Sequence, residues 1–226
     1  MKQNSEIRAA ARQSLSGNWA NAVVVFIITS TIGYITSVIP LTRHSGFILI
    51  TGPLAYGVTL FYLGIIRNST SDFNFVFKGF DFSEKSAGIF FRTVGAYLLS
   101  LLFISLWMLL LIVPGVVAAL GYSMIFYIFA DNPDIGISES MQKSKKMMYG
   151  YKGKLFMLQL SFFGWGILCI FTFGIGFLWL GPYMQTANTE FYLELIKEQG
   201  EVEEEHKTEE SETVSDEPIK IGGVSE

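Results

Sequence analysis

The sequence predicts an all-α fold: a polytopic transmembrane helix bundle, with about six spans in three hairpins and amphipathic cytoplasmic connectors. Three observations predict it. Stretches free of Lys, Arg, Asp, Glu and His cover 18–41, 51–66, 93–130 and 155–189. Only 16% of residues are charged, where soluble domains carry about 25%. The apolar runs are continuous rather than alternating, which disfavours a β-barrel.

Spanning about 30 Å of hydrocarbon takes about 20 helical residues. The first run, 18–40, suffices for one crossing. It is too long for a signal-peptide core and no small-residue cleavage site follows it, so it reads as an uncleaved span. The second, 51–66, is short. It either borrows flanking residues or dips in without crossing. The runs 93–130 and 155–189 are each too long for one helix. Pro114-Gly115 divides the former into 91–113 and 115–130, because a Pro-Gly pair turns the chain and breaks a helix; 115–130 is short in the same way as 51–66. Gly174 and Gly176 divide the latter into 155–172 and 177–195. Residues 1–196 thus form the membrane domain.

The last thirty residues differ. Residues 197–226 hold eleven acids against Lys197, Lys207 and Lys220, with almost no aliphatic content and no periodicity. Such a segment cannot bury enough apolar surface to offset its ordering entropy and reads as a disordered acidic cytoplasmic tail.

Basic residues in short loops stay cytoplasmic. One set of flanks holds Lys2, Arg8, Arg12, Arg67, Lys78, Lys85, Arg92 and the lysines of 143–154, whereas the opposite set holds only Arg43. Both termini are therefore expected inside. The cluster Lys143, Lys145, Lys146, Lys152 and Lys154 is read either as a plain topogenic flank or as a site capturing anionic lipid headgroups, at about 1 kcal/mol per basic residue.

The second helix of each hairpin carries a proline, and an aromatic pair follows it. Phe61-Tyr62, Phe126-Tyr127 and Phe191-Tyr192 recur about 65 residues apart. Gly17 and Gly150 hold matching places ahead of the first and fifth helices. These features suggest three units of one bundle, although aromatic pairs are common at membrane interfaces in any case.

The connectors look amphipathic. In "DNPDIGISESMQKSKKMMYG", Asn132 suits a cap and Pro133 a first helical position. Ile137, Met141, Ser144 and Met148 then share a face. "SEIRAAARQSL" repeats the pattern through Ile7, Ala11 and Leu15. "DFNFVFKGFDF" reads as an interfacial aromatic segment. Each is expected to lie on the lipid surface or against the bundle's inner face.

Charge inside a span marks function. Here Gln185, Asn188 and Glu190 make a polar stretch in the sixth helix, with Gln159 placed to hydrogen-bond across from the fifth. The expectation is a polar pocket opening to the cytoplasm, with Lys152, Lys154 or Arg92 partnering Glu190. The competing reading is a helix end already in water. His44 and His206 have no partner at metal-ligand spacing, and Cys169 sits in an apolar run as a small hydrophobe. No nucleophile elbow, phosphate loop or paired intramembrane carboxylates occur, so no catalytic residue, cofactor or metal is expected.

The stretches "RAAARQSLSGNW", "LIVPG…YSM…Y", "SKKMMYGYK", "LSFFGWGIL" and "GIGFLWLGPY" resemble the integral membrane family catalogued as domain of unknown function 975, found in Gram-positive bacteria. The resemblance covers most of residues 5–195, best in the latter half, and excludes the acidic tail. It implies a multi-pass plasma-membrane protein and no established activity, so no catalytic residue carries over. The expected function is non-enzymatic organisation of lipids or partner proteins. The expected partners are the bilayer, its anionic lipids, and a membrane protein or second copy, with no nucleic acid. The alternative is a small transporter or export accessory subunit.

Overall fold

A computed structural model of the chain describes residues 1–38, 45–68, 72–81 and 87–215. Over these it is all-α. In order come α1 (Asn4–Ser14), α2 (Trp19–Val38), α3 (Ser45–Asn68), α4 (Asn74–Phe77) running into a 3-10 turn (Lys78–Phe80), α5 (Ala87–Leu110), α6 (Ile112–Tyr122), α7 (Ile125–Asp131), α8 (Ile137–Met147), α9 (Lys152–Phe171) and α10 (Phe177–Ser215). Arg43, His44, Lys85 and residues 216–226 lie outside the described residues.

Five segments are long and apolar enough to cross a membrane: Trp19–Thr36, Leu49–Arg67, Gly88–Leu110, Ile112–Asp131 and Lys152–Phe171. The short second run is extended by flanking residues, so that α3 starts at Ser45 and Pro53 falls inside it. The sixth expected span is a continuous helix, but Gln185, Asn188, Glu190 and Glu194 leave it less apolar than the other five. α10 also runs on to Ser215, through the first part of the acidic segment expected to be disordered. Glu and Lys are good helix formers, so an established helix extends through them at little cost.

Two breaks fall elsewhere than proline and glycine suggest. The α5–α6 turn is at Leu111, which is extended, and Pro114 sits in the first turn of α6, where a missing N–H costs nothing. Gly115 follows because a Cβ there would run into Met108. α8 begins at Ile137, capped by Gly136, rather than at Pro133. Asn132 to Ile135 forms a turn instead, closed by the Ile135 N–H on the Asn132 carbonyl at 3.3 Å. At the α9–α10 turn, Gly174 has φ +84° as the break requires.

The helices pair as α2 with α3, α5 with α6 and α9 with α10. The second arms then meet at the centre, α3 against both α7 and α10. Their aromatic pairs come with them. Phe61, Tyr62, Phe191 and Tyr192 are each at most 2% exposed, and Tyr127 stacks on Tyr192 with ring centroids 4.8 Å apart. The first arms stay outside. Only 17% of the α2 and α5 spans and 22% of the α9 span are buried, against 61% for α3 and 44% for 112–131. Most of the exposed residues of the first arms are apolar, among them Ile27 and Ile35, Leu102 and Leu106, Phe163 and Leu168.

The short amphipathic helices turn their apolar faces to the bundle rather than away from it. α4 packs on α3, α8 on α7, and α1 on α10. Ile7 and Ala11 of α1 and its cap Leu15 are fully buried, as are Ser140, Ser144 and Met148 at the offset that separates Gly17 from Gly150. Both glycines take positive φ, 86° and 81°, at the bend from the docked helix into the next span. Burying a Leu- or Ile-sized side chain from water is worth about 2 kcal/mol. Two such anchors hold α1 down.

Candidate functional site

A cavity of about 420 Å³ lies within the bundle, bounded by α2, α3, the α6–α7 joint, α9 and α10. Its polar wall begins at Gln159 of α9, whose side-chain amide donates to Asn188 Oδ1 of α10 at 2.7 Å. Gln185 lines the same wall, one helical turn before Asn188. Thr29 and Thr36 of α2 and Thr59 of α3 line it further on. Each of these threonines donates its hydroxyl to a carbonyl one turn back, at 2.9–3.0 Å. With their donors used in this way, the three threonines add polarity to an otherwise apolar wall. Among the described residues that line it, none is charged. From Phe26 to Thr36 it follows α2 for about 15 Å, half the thickness of a bilayer's hydrocarbon.

Glu190 does not join this wall. It lies two residues beyond Asn188 and so on nearly the opposite side of α10. There it is 8% exposed beneath α1 and accepts a 2.6 Å hydrogen bond from the Ser14 hydroxyl. Two of the three expected partners are engaged elsewhere, and Lys152 forms no ion pair with Glu190. Arg92 donates to the Pro133 carbonyl at 2.7 Å and pairs with Asp134 at 3.2 Å, and Lys154 donates to the Met1 carbonyl at 3.3 Å. One turn beyond Glu190, Glu194 accepts from the Lys2 ammonium at 2.7 Å. That hydrogen bond is the main cause of the raised Lys2 pKa.

A second polar cluster, which sequence reasoning missed, ties the three central helices together. Asp131 at the end of α7 accepts two bonds from the Arg67 guanidinium, at 2.5 and 3.0 Å. It also accepts from the Tyr192 hydroxyl at 2.8 Å. The Tyr127 hydroxyl stands 3.4 Å from the Thr189 hydroxyl. The Tyr62 hydroxyl is buried without a hydrogen-bond partner among the described residues. The available signal was the equal spacing of the three tyrosines, which said that they correspond but not that they meet.

The lysine cluster divides by role. Lys143, Lys145 and Lys146 are exposed on α8, opposite its buried Met141, Ser144 and Met147. The Lys145 ammonium lies over the Tyr122 and Phe103 rings, at 4.9 and 5.7 Å. Lys152 and Lys154, at the start of α9, are partly buried. Ser144 positions α8. Its hydroxyl donates to the Gly121 carbonyl at 2.7 Å and accepts from the Met124 N–H at 3.3 Å. It thereby satisfies the backbone groups freed where α6 gives way to α7. Among the described residues no group of three or more His, Cys, Asp or Glu is placed to hold a metal.

Residues 108–199 match the model of a family described as a protein of unknown function, DUF975. This is the family that the motifs of that stretch resemble, and the match begins in α5 and runs through α10 to Gln199. No curated protein and no solved structure matches the chain.

Proposed function

We propose that the protein is a non-enzymatic, multi-pass component of the plasma membrane whose cytoplasmic face gathers anionic lipids. The observation that carries this reading is the mounting of α8. Its apolar face is fixed to α7, so Lys143, Lys145 and Lys146 are held exposed around the rest of a rigidly mounted helix. Each basic group near an anionic surface adds about 1 kcal/mol of attraction. The excess of basic residues on the same side supports termini that face the cytoplasm, and six crossings, with α10 as the shielded central one, fit that arrangement.

The test is lipid composition. When the protein is excised from membranes in polymer-bounded nanodiscs, the wild type should carry an enriched share of phosphatidylglycerol relative to bulk lipid. Lys143→Gln, Lys145→Gln and Lys146→Gln together should return that share to the bulk value. Unchanged enrichment in the triple variant would count against the reading.

The central cavity favours a second reading, a small transporter or export accessory. A chamber whose described lining is uncharged, with amides at one end and threonines along its length, suits a neutral, hydrogen-bonding solute. Uptake or efflux that fails in Gln159→Leu, with expression unchanged, would move the weight to this reading.

A further inference from the structure

A groove of about 610 Å³ runs between α1 and the α9–α10 hairpin, on the side away from the central cavity. Its mouth is cationic. Arg8 and Arg12 stand one turn apart on one flank of α1, with Ser5 a turn before Arg8. Neither guanidinium pairs with a carboxylate among the described residues. The Arg8 Nε is buried with no hydrogen-bond partner. Tyr183 pins this turn of α1 over the groove by donating its hydroxyl to the Arg8 carbonyl at 3.2 Å. Below the mouth the walls are apolar and aromatic: Trp19, Trp165 and Trp179, with Leu180 and Cys169 as the buried floor. Cys169 lies about 26 Å along α9 from Lys152, so the apolar walls run from α1 toward the α9–α10 turn.

We propose that this groove binds one anionic phospholipid, with its phosphate on Arg8 and Arg12 and an acyl chain along the tryptophan wall. The charge and the shape ask for both halves of that molecule. Two forked guanidiniums match a phosphate and satisfy the buried Arg8 Nε. A free phosphate would leave the long apolar wall uncovered, and a lipid of no net charge would neutralise less of the cationic mouth. The site rests on the chain being membrane-embedded but not on the α8 lysines. Those are exposed charges that attract headgroups collectively, whereas this groove holds a single molecule.

The groove contains its own reporters, since three of the chain's four tryptophans line it. In the full-length Trp107→Phe protein in detergent, phosphatidylglycerol with a spin label on its acyl chain should quench tryptophan fluorescence saturably. Phosphatidylcholine bearing the same label should quench without saturation. Arg8→Gln with Arg12→Gln should weaken the saturable phase roughly tenfold or more, while the triple α8 lysine variant should leave it unchanged. Glycerol phosphate should not displace the lipid. Equal saturation by both lipids, an unaffected double arginine variant, or displacement by glycerol phosphate would each overturn the proposal. If the double variant fails to fold, the comparison of the two lipids on the Trp107→Phe protein decides alone.

Discussion

Asp131 shows how much one side chain can be asked to hold. It takes two bonds from Arg67 and one from Tyr192, and so joins α3, α7 and α10 at one point. Removing the charge leaves a guanidinium facing an amide. Asp131 and Arg67 are exposed, so Asp131→Asn should lower stability in detergent by about 1.5–2 kcal/mol, and Tyr192→Phe, which loses one bond, by about 1 kcal/mol. Thermal unfolding of both variants checks the ranking, and equal losses would refute it. Gln159 and Asn188 allow a sharper test. Each single leucine variant strands the other amide against the cavity wall, at about 1–3 kcal/mol, whereas the double variant removes both. Melting curves should show the double variant less damaged than the two singles summed.

At the scale of elements, the docked helices carry the argument. α4 lies so close to α3 that a methyl at Gly57 would overlap the Val76 carbonyl, a backbone atom that cannot swing aside. Gly57→Ala should cost several kcal/mol, and so show little folded protein by size-exclusion chromatography. α1 is held partly by Lys2 on Glu194. Because the folded pKa of Lys2 is raised, its contribution is fully present below the unfolded value and is lost as pH rises through the folded one. The wild type should lose thermal stability on the alkaline side of about pH 10, and Lys2→Gln should flatten that part of the curve. The sequence made the existence of these helices legible, since Ile7, Ala11 and Leu15 share a face at helical spacing. It left open what that face touches, because lipid and a neighbouring helix make the same demand on it. The break at Ser123–Met124 was illegible for another reason. It carries no proline, and Ser144, some twenty residues later in the chain, is what makes it tolerable.

The whole molecule has a polarity of construction. Lipid-compatible surface is concentrated on α2, α5 and α9, while α3 and the α6–α7 arm are more shielded and α10 carries the buried Thr186, Thr189, Glu190 and Glu194. Each short helix docks on the second arm of the preceding hairpin, and α1 closes the ring on α10. In that cyclic exchange Tyr62, Tyr127 and Tyr192 stand on the three second arms, and Gly17 and Gly150 at matching bends. The candidate pocket was legible in part. Gln159, Gln185 and Asn188 stand out as amides in apolar helices, while Glu190 looked alike in sequence but faces α1, because two residues along a helix reverse its direction. The threonines of the far wall gave no signal, since hydroxyls bonded to their own backbone are ordinary in membrane helices.

The most direct measurement of this account is the sidedness of two cysteines in a Cys169→Ser background. Phe173→Cys lies at the exposed tip of the α9–α10 turn, and Lys143→Cys on the exposed face of α8. With a membrane-impermeant maleimide, intact cells should label the former at once and the latter only after permeabilisation. Labelling of both from one side, or of Lys143→Cys alone in intact cells, would contradict a bundle that crosses the membrane with its lysine face inside.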